Sequence, residues 1–67
     1  MNEFWKKIQL LYIKNRAIEC KVTYKNNIYK VIVTNGGKEV IRVSGMSAYN
    51  VFSLAEAQLT MHKEELV

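Results

Sequence analysis

A chain of 67 residues has room for one domain with a marginal core, and its 49% hydrophobic and 24% charged residues are a globular composition rather than a disordered one. Its longest early apolar run, Leu10 to Ile13, is far below the ~20 residues of a membrane span, and Glu3, Lys6, Lys7 and Gln9 break up any signal-peptide core in residues 1–13. The formal charge of +4 is uneven: residues 1–33 hold seven cations against two acids, whereas residues 34–67 hold three against four.

A basic half beside a near-neutral half points to a polyanion or an acidic protein surface as partner. Most of the cations are lysines, which attract as point charges and lack the planar fork of arginine. One cysteine, Cys20, excludes an internal disulfide and suits a reducing compartment, so the expected setting is the cytoplasm.

In chain order, Phe4, Trp5, Ile8, Leu11 and Tyr12 recur at helical spacing, with Lys7 and Lys14 on the opposite side. That pattern predicts a helix over about residues 2–15. Leu10 and Ile13 widen its stripe, as expected for a helix lying on a sheet, and Trp5 is read as a core anchor.

From Ala17 the period becomes two. Ile18, Cys20, Val22 and Tyr24 alternate with Glu19, Lys21, Thr23 and Lys25, the pattern of a half-buried strand. Asn26 and Asn27 tolerate the positive φ of a two-residue hairpin turn. That turn opposes Lys25 to Ile28, Tyr24 to Tyr29, Val22 to Val31 and Cys20 to Val33, which puts both apolar sets on one face.

The next turn, Asn35-Gly36-Gly37, allows two readings. A two-residue loop, Asn35-Gly36, would send Val40 and Arg42 inward, while a three-residue loop, Asn35 to Gly37, buries Ile41 and Val43 beside Val31 and Tyr29 and frees Arg42. The second reading keeps charge out of the core, and it is the one adopted. Ala48, Val51, Phe52, Ala55, Leu59 and Leu66 then mark one long helix from about Ser47. A competing signal is the capping box Ser53 to Glu56, which would start the helix at Leu54 and leave residues 46–52 as an extended arm.

The fold class expected is α+β: a single domain over residues 1–67, α-β-β-β-α, with a three-stranded antiparallel meander and both helices on one face. Its outer sheet face would gather Lys21, Thr23, Lys25, Lys30 and Arg42 together with Ile28, Ile32 and Val40.

Catalysis has little material here. The chain has no aspartate, one histidine and one cysteine. Cys20 is expected on the buried face as a small hydrophobe. His62 stands three residues before Glu65, and two ligands do not make a metal site. Gly36 and Gly37 lie between strands, not before a helix, so they form no phosphate loop. No catalytic residue, metal, cofactor or small-molecule substrate is expected.

Two kinds of binding fit better. A nucleic-acid surface would use Lys21, Lys25 and Lys30 on phosphates, Thr23 and Arg42 toward base edges, and nearby Lys14, Arg16 and Lys38. Alternatively Ile28, Ile32 and Val40 would form an apolar patch covered by a protein partner or a second copy, as in a phage- or element-encoded inhibitor or adaptor.

The order helix, three antiparallel strands, helix is similar to that of double-stranded-RNA-binding domains, although the stretch matching that family's lysine-bearing second helix has no cation before Lys63. The strands followed by residues 52–59 also resemble the sheet-and-helix DNA-binding domains of some phage-type integrases. Those place the sheet in the major groove, a role the resemblance would give to Lys21, Lys25, Lys30 and Arg42. Antitoxins with a degenerate version of that fold are similar too, and they imply a protein partner instead.

Overall fold

The computed structural model describes residues 3–67. It runs α1 (Phe4–Lys14), β1 (Ile18–Lys25), β2 (Ile28–Asn35), β3 (Lys38–Gly45), α2 (Ala48–Met61) and α3 (Lys63–Leu66), with the strands in one antiparallel sheet ordered β1-β2-β3. The architecture is the expected α+β one, with one further turn of helix at its end. The expected helix start at residue 2 lies outside the described residues.

The core is a single cluster between the sheet and the helices. Ile18, Val31, Val33, Ile41 and Val43 from the strands meet Phe4 and Ile8 of α1, Val51, Ala55 and Leu59 of α2, and Leu66 of α3. No polar side chain is buried among the described residues. The α2 positions fall at i, i+4 and i+8, which one face of a helix presents together.

Ser47 decides where α2 begins: its side-chain oxygen accepts from the Asn50 N–H at 3.3 Å, so residues 48–52 are helix and not an extended arm. Ser53, the competing cap, sits mid-helix and exposed. Once Ser47 satisfies an orphan donor, the apolar stripe from Val51 to Leu59 carries the helix past Ser53.

The first hairpin has the expected register throughout, from Lys25↔Ile28 to Cys20↔Val33, and Asn26 and Asn27 both take positive φ, +53° and +65°. The second hairpin corrects the expected loop. Its turn is the two-residue Gly36-Gly37, with φ of +61° and +86°, flanked by the pair Asn35↔Lys38. Left alone, that turn would have brought Val40 and Arg42 inward. A β-bulge prevents it: pairing runs Thr34↔Glu39 and then Val33↔Ile41, and Val40 is the extra residue. Ile41 and Val43 are buried and Arg42 faces out, as anticipated, but they oppose Val33 and Val31 rather than Val31 and Tyr29.

Two further expectations change. Leu10 and Ile13 do not lie against the sheet; Ile13 is 65% exposed, because Phe4, Ile8 and Leu11 already form the side of α1 that meets the core. Trp5 is a rim residue rather than an anchor, packed edge-on to Phe4 at 5.2 Å and against Phe52 at 6.0 Å.

At the opposite end, two asparagines join the layers. Asn15 Nδ2 donates to Asn35 Oδ1 and to the Leu66 carbonyl, Asn35 Nδ2 donates to the Glu65 carbonyl, and the Ala17 N–H donates to Asn15 Oδ1. The orphan carbonyls of α3 thereby find partners in α1's cap and β2.

Candidate nucleic-acid interface

The face of the sheet turned away from the helices is laid out by the pairing. Lys21, Ile32 and Arg42 form one cross-strand row; Thr23, Lys30 and Ser44 form the next; Lys25 and Ile28 close it at the first turn. Lys30, on the central strand, therefore has three cations as diagonal neighbours: Lys21 and Lys25 on β1 and Arg42 on β3. Diagonal positions on one face stand about 7–8 Å apart. Thr23 and Ser44 place a hydroxyl on each side of Lys30.

Arg42 is held by Glu39. Its Nε and Nη2 donate to the two carboxylate oxygens at 2.8 and 2.7 Å, a bidentate pair. Residues three apart in a regular strand point to opposite faces. The bulge at Val40 is what brings Glu39 and Arg42 to the same one. The hydrogen bonds from Arg42, and then its charge and that of Lys30, hold the Glu39 carboxyl below its usual range, and Glu39 raises Arg42 in return.

Of the residues expected at the site, Lys21, Thr23, Lys25, Lys30 and Arg42 share this face. Lys14 does not. It lines an open groove of about 320 Å³ between α1 and the α2–α3 segment, with Lys7 and Lys63. A residue in the last turn of α1 belongs to the helix layer, and the sheet separates it from the outer face. Arg16 is drawn to that layer as well, its guanidinium 4.8 Å from the centre of the Tyr12 ring. Lys38 stands at the mouth of the Gly36-Gly37 turn, paired with Asn35.

The expected aliphatic patch is not assembled. Val40, as the bulged residue, packs against the edge of the core. Ile28 and Ile32 remain on the outer face, but Lys30 stands between them and Ile32 is flanked by Lys21 and Arg42. Two isolated aliphatics among lysines do not make a contiguous apolar surface.

Cys20 and His62 lie apart from this face. Cys20 is half-buried on the inner face, and burial pushes its thiol up to about 11, so it stays protonated near neutral pH. His62 bridges α2 and α3, with Nε2 2.9 Å from Gln58 Oε1 and Nδ1 2.6 Å from Glu65 Oε2. Among the described residues no three His, Cys, Asp or Glu side chains are grouped to hold a metal ion, and no helix is long and apolar enough to cross a membrane.

Two features carried no usable signal in the sequence. The Glu39 clamp needs the bulge, which alternation alone cannot locate. The second is the exposure of Tyr24: its opposition to Tyr29 was expected and their ring centres lie 4.4 Å apart, yet Tyr24 is 59% exposed. No protein-family model matches the chain, and comparison with curated proteins and with solved structures likewise finds no match.

Proposed function

We propose that the protein is a non-catalytic nucleic-acid-binding domain that lays the outer face of its sheet on the phosphates of a duplex. One observation carries this reading: Lys30 stands at the centre of Lys21, Lys25 and Arg42 with Thr23 and Ser44 beside it, while the two acids of this face, Glu19 and Glu39, sit together in the row across Thr34, away from the first turn. Lysine suits phosphate, since a compact charge on a flexible stem needs no fixed acceptor geometry. The face has no aromatic ring, so it offers no platform for stacking single-stranded bases. Thr23 and Ser44 can donate to phosphate oxygens beside the lysines.

The test is a titration against duplex DNA, duplex RNA and single-stranded DNA at several salt concentrations. With Arg42 held by Glu39, the three lysines give a slope of log K against log salt of about −3 on a duplex. Replacing Lys21, Lys25, Lys30 and Arg42 by glutamine abolishes binding while leaving the circular dichroism spectrum unchanged. Affinity that survives that change would refute the sheet-face site.

Glu39→Gln sharpens the test. It removes a competing carboxylate and frees Arg42, so binding tightens and the slope steepens by up to about one. A loss of affinity in Glu39→Gln would mean that the clamp orients Arg42 for the ligand rather than withholding it.

A second reading, a module for protein contact, is supported by a different surface from the one first suggested by Ile28, Ile32 and Val40. That surface is the free edge of β1.

A further inference from the structure

The sheet has two edges, and they are not equivalent. β3 is interrupted by the bulge at Val40, and its inward residues Ile41 and Val43 are buried. A bulge twists an edge and spoils its ladder, one of the devices that keep edge strands from pairing. β1 has no such device in its pairing with β2: eight residues run in unbroken register. Beyond Ile18, moreover, its inner side is thinly covered. Cys20 is half-buried, Val22 is 37% exposed and Tyr24 more so.

Hairpin geometry says which backbone groups that edge presents. Lys25 and Ile28 flank a two-residue turn, so they exchange both hydrogen bonds, and so do Thr23↔Lys30, Lys21↔Ile32 and Glu19↔Thr34. The N–H and C=O groups of Cys20, Val22 and Tyr24 therefore point away from β2, toward the open side.

We propose that this edge pairs with β1 of a second copy, antiparallel and about a two-fold axis at Val22, joining two sheets into one of six strands. Charge selects this register. With Val22 opposite the partner's Val22, Glu19 faces the partner's Lys25, Lys21 faces the partner's Thr23 and Cys20 faces the partner's Tyr24. Sliding by two residues one way sets Lys21 against the partner's Lys21; sliding the other way sets it against the partner's Lys25. Like charges directly opposite are destabilising, and opposite charges stabilise. Lys21 and Lys25, which would blunt the edge in those registers, thus become the groups that specify the favoured one.

Paired residues share a face, so Val22, Cys20 and Tyr24 of both copies close over one another on the helix side. The two outer faces also become one continuous surface, with Glu19 of each copy beside Lys25 of the other at the seam. The pairing itself needs no nucleic acid, and its test is independent of the binding test above.

Sedimentation equilibrium at rising protein concentration comes first. The mass is expected to climb from 7.8 kDa to twice that value. A mass that stays at 7.8 kDa up to millimolar-range NMR samples overturns the proposal. Val22→Pro removes only an N–H that points outward, so it should hold the mass at the single-chain value with the spectrum of the folded sheet retained.

Register is read separately with Tyr24→Cys, an exposed position whose replacement does not threaten the fold. Opposed residues of a hydrogen-bonded pair have Cα atoms about 5.5 Å apart, within disulfide range. Positions 20 and 24 of one strand, four residues apart at about 3.3 Å each, are too far apart to join. Mild oxidation should therefore give a covalent dimer whose digest links position 20 to position 24. A digest that links only like positions, or no covalent dimer, overturns the register.

Discussion

The two flanks of the sheet are built from the same kind of sequence and end in opposite conditions. On the β3 flank, Ile41 and Val43 alternate with charged and polar residues and are buried under α2, where Val51 and Ala55 meet them. On the β1 flank, Cys20, Val22 and Tyr24 alternate just as regularly, yet exposure rises along the strand until Tyr24 is mostly in solvent. Alternation fixes which residues share a face. It does not decide whether anything lies over them. With α2 across β2 and β3 and only the 11-residue α1 to serve β1, part of the apolar face outruns its cover.

The largest expected effect breaks this comparison open. Ile41→Ala removes a fully buried side chain beneath α2 and should cost about 2–5 kcal/mol, a large share of what so small a core supplies. Val22→Ala, on the same inner face, should cost at most about 1 kcal/mol in dilute protein, because much of the side chain already meets water. Urea unfolding of both variants measures the contrast. Equal losses would mean that Val22 is covered even in the single chain, and the two flanks would no longer differ. A Val22→Ala loss that grows with protein concentration would locate the missing cover in a second copy.

The same contrast explains what the sequence did and did not disclose. The register of the first hairpin was legible because three signals agree: alternation on both strands, two asparagines able to take positive φ, and a pairing that puts both apolar sets together. The facing of β3 was legible for a weaker reason. Burying Ile41 and Val43 while freeing Arg42 is a matter of parity, and a three-residue loop or a two-residue loop plus a bulge satisfies it equally. The sequence reading takes the first and the chain forms the second, so the neighbours of Ile41 and the Glu39–Arg42 pair were out of reach. Likewise the cations of the outer face could be grouped by parity, whereas Lys14 was placed by proximity in the chain and Val40 by a parity that the bulge interrupts. The first lies in another layer and the second is tucked against the core.

Deleting Val40 sharpens the comparison by making β3 resemble β1. The pairs Val33↔Ile41 and Thr34↔Glu39 become consecutive, so the ladder closes without a bulge and the facing of Ile41 and Arg42 is preserved. The lost packing of one half-buried valine should cost about 1–2 kcal/mol. The domain should still fold, now with two regular edges, and light scattering should show association beyond a pair of chains. An unchanged mass would mean that α2 is enough to guard the β3 edge without the bulge.

The smallest effect is a titration, and it probes the partial cover of β1 directly. Burial raises the Cys20 thiol from an ordinary value of 9.0 to about 11 in the folded chain. Between those values the unfolded chain gives up the thiol proton and the folded chain keeps it, so rising pH favours unfolding. The contribution from Cys20 is whole below pH 9 and is lost as pH climbs through about 11. Subtracting the stability profile of Cys20→Ala from that of the parent isolates it from the tyrosines. Alkylation offers a second measure: native protein should react with a midpoint near 11 and denatured protein near 9. A native midpoint near 9 would show Cys20 as open to water as Tyr24, and the cover over β1 would then end at Ile18 rather than thin gradually along the strand.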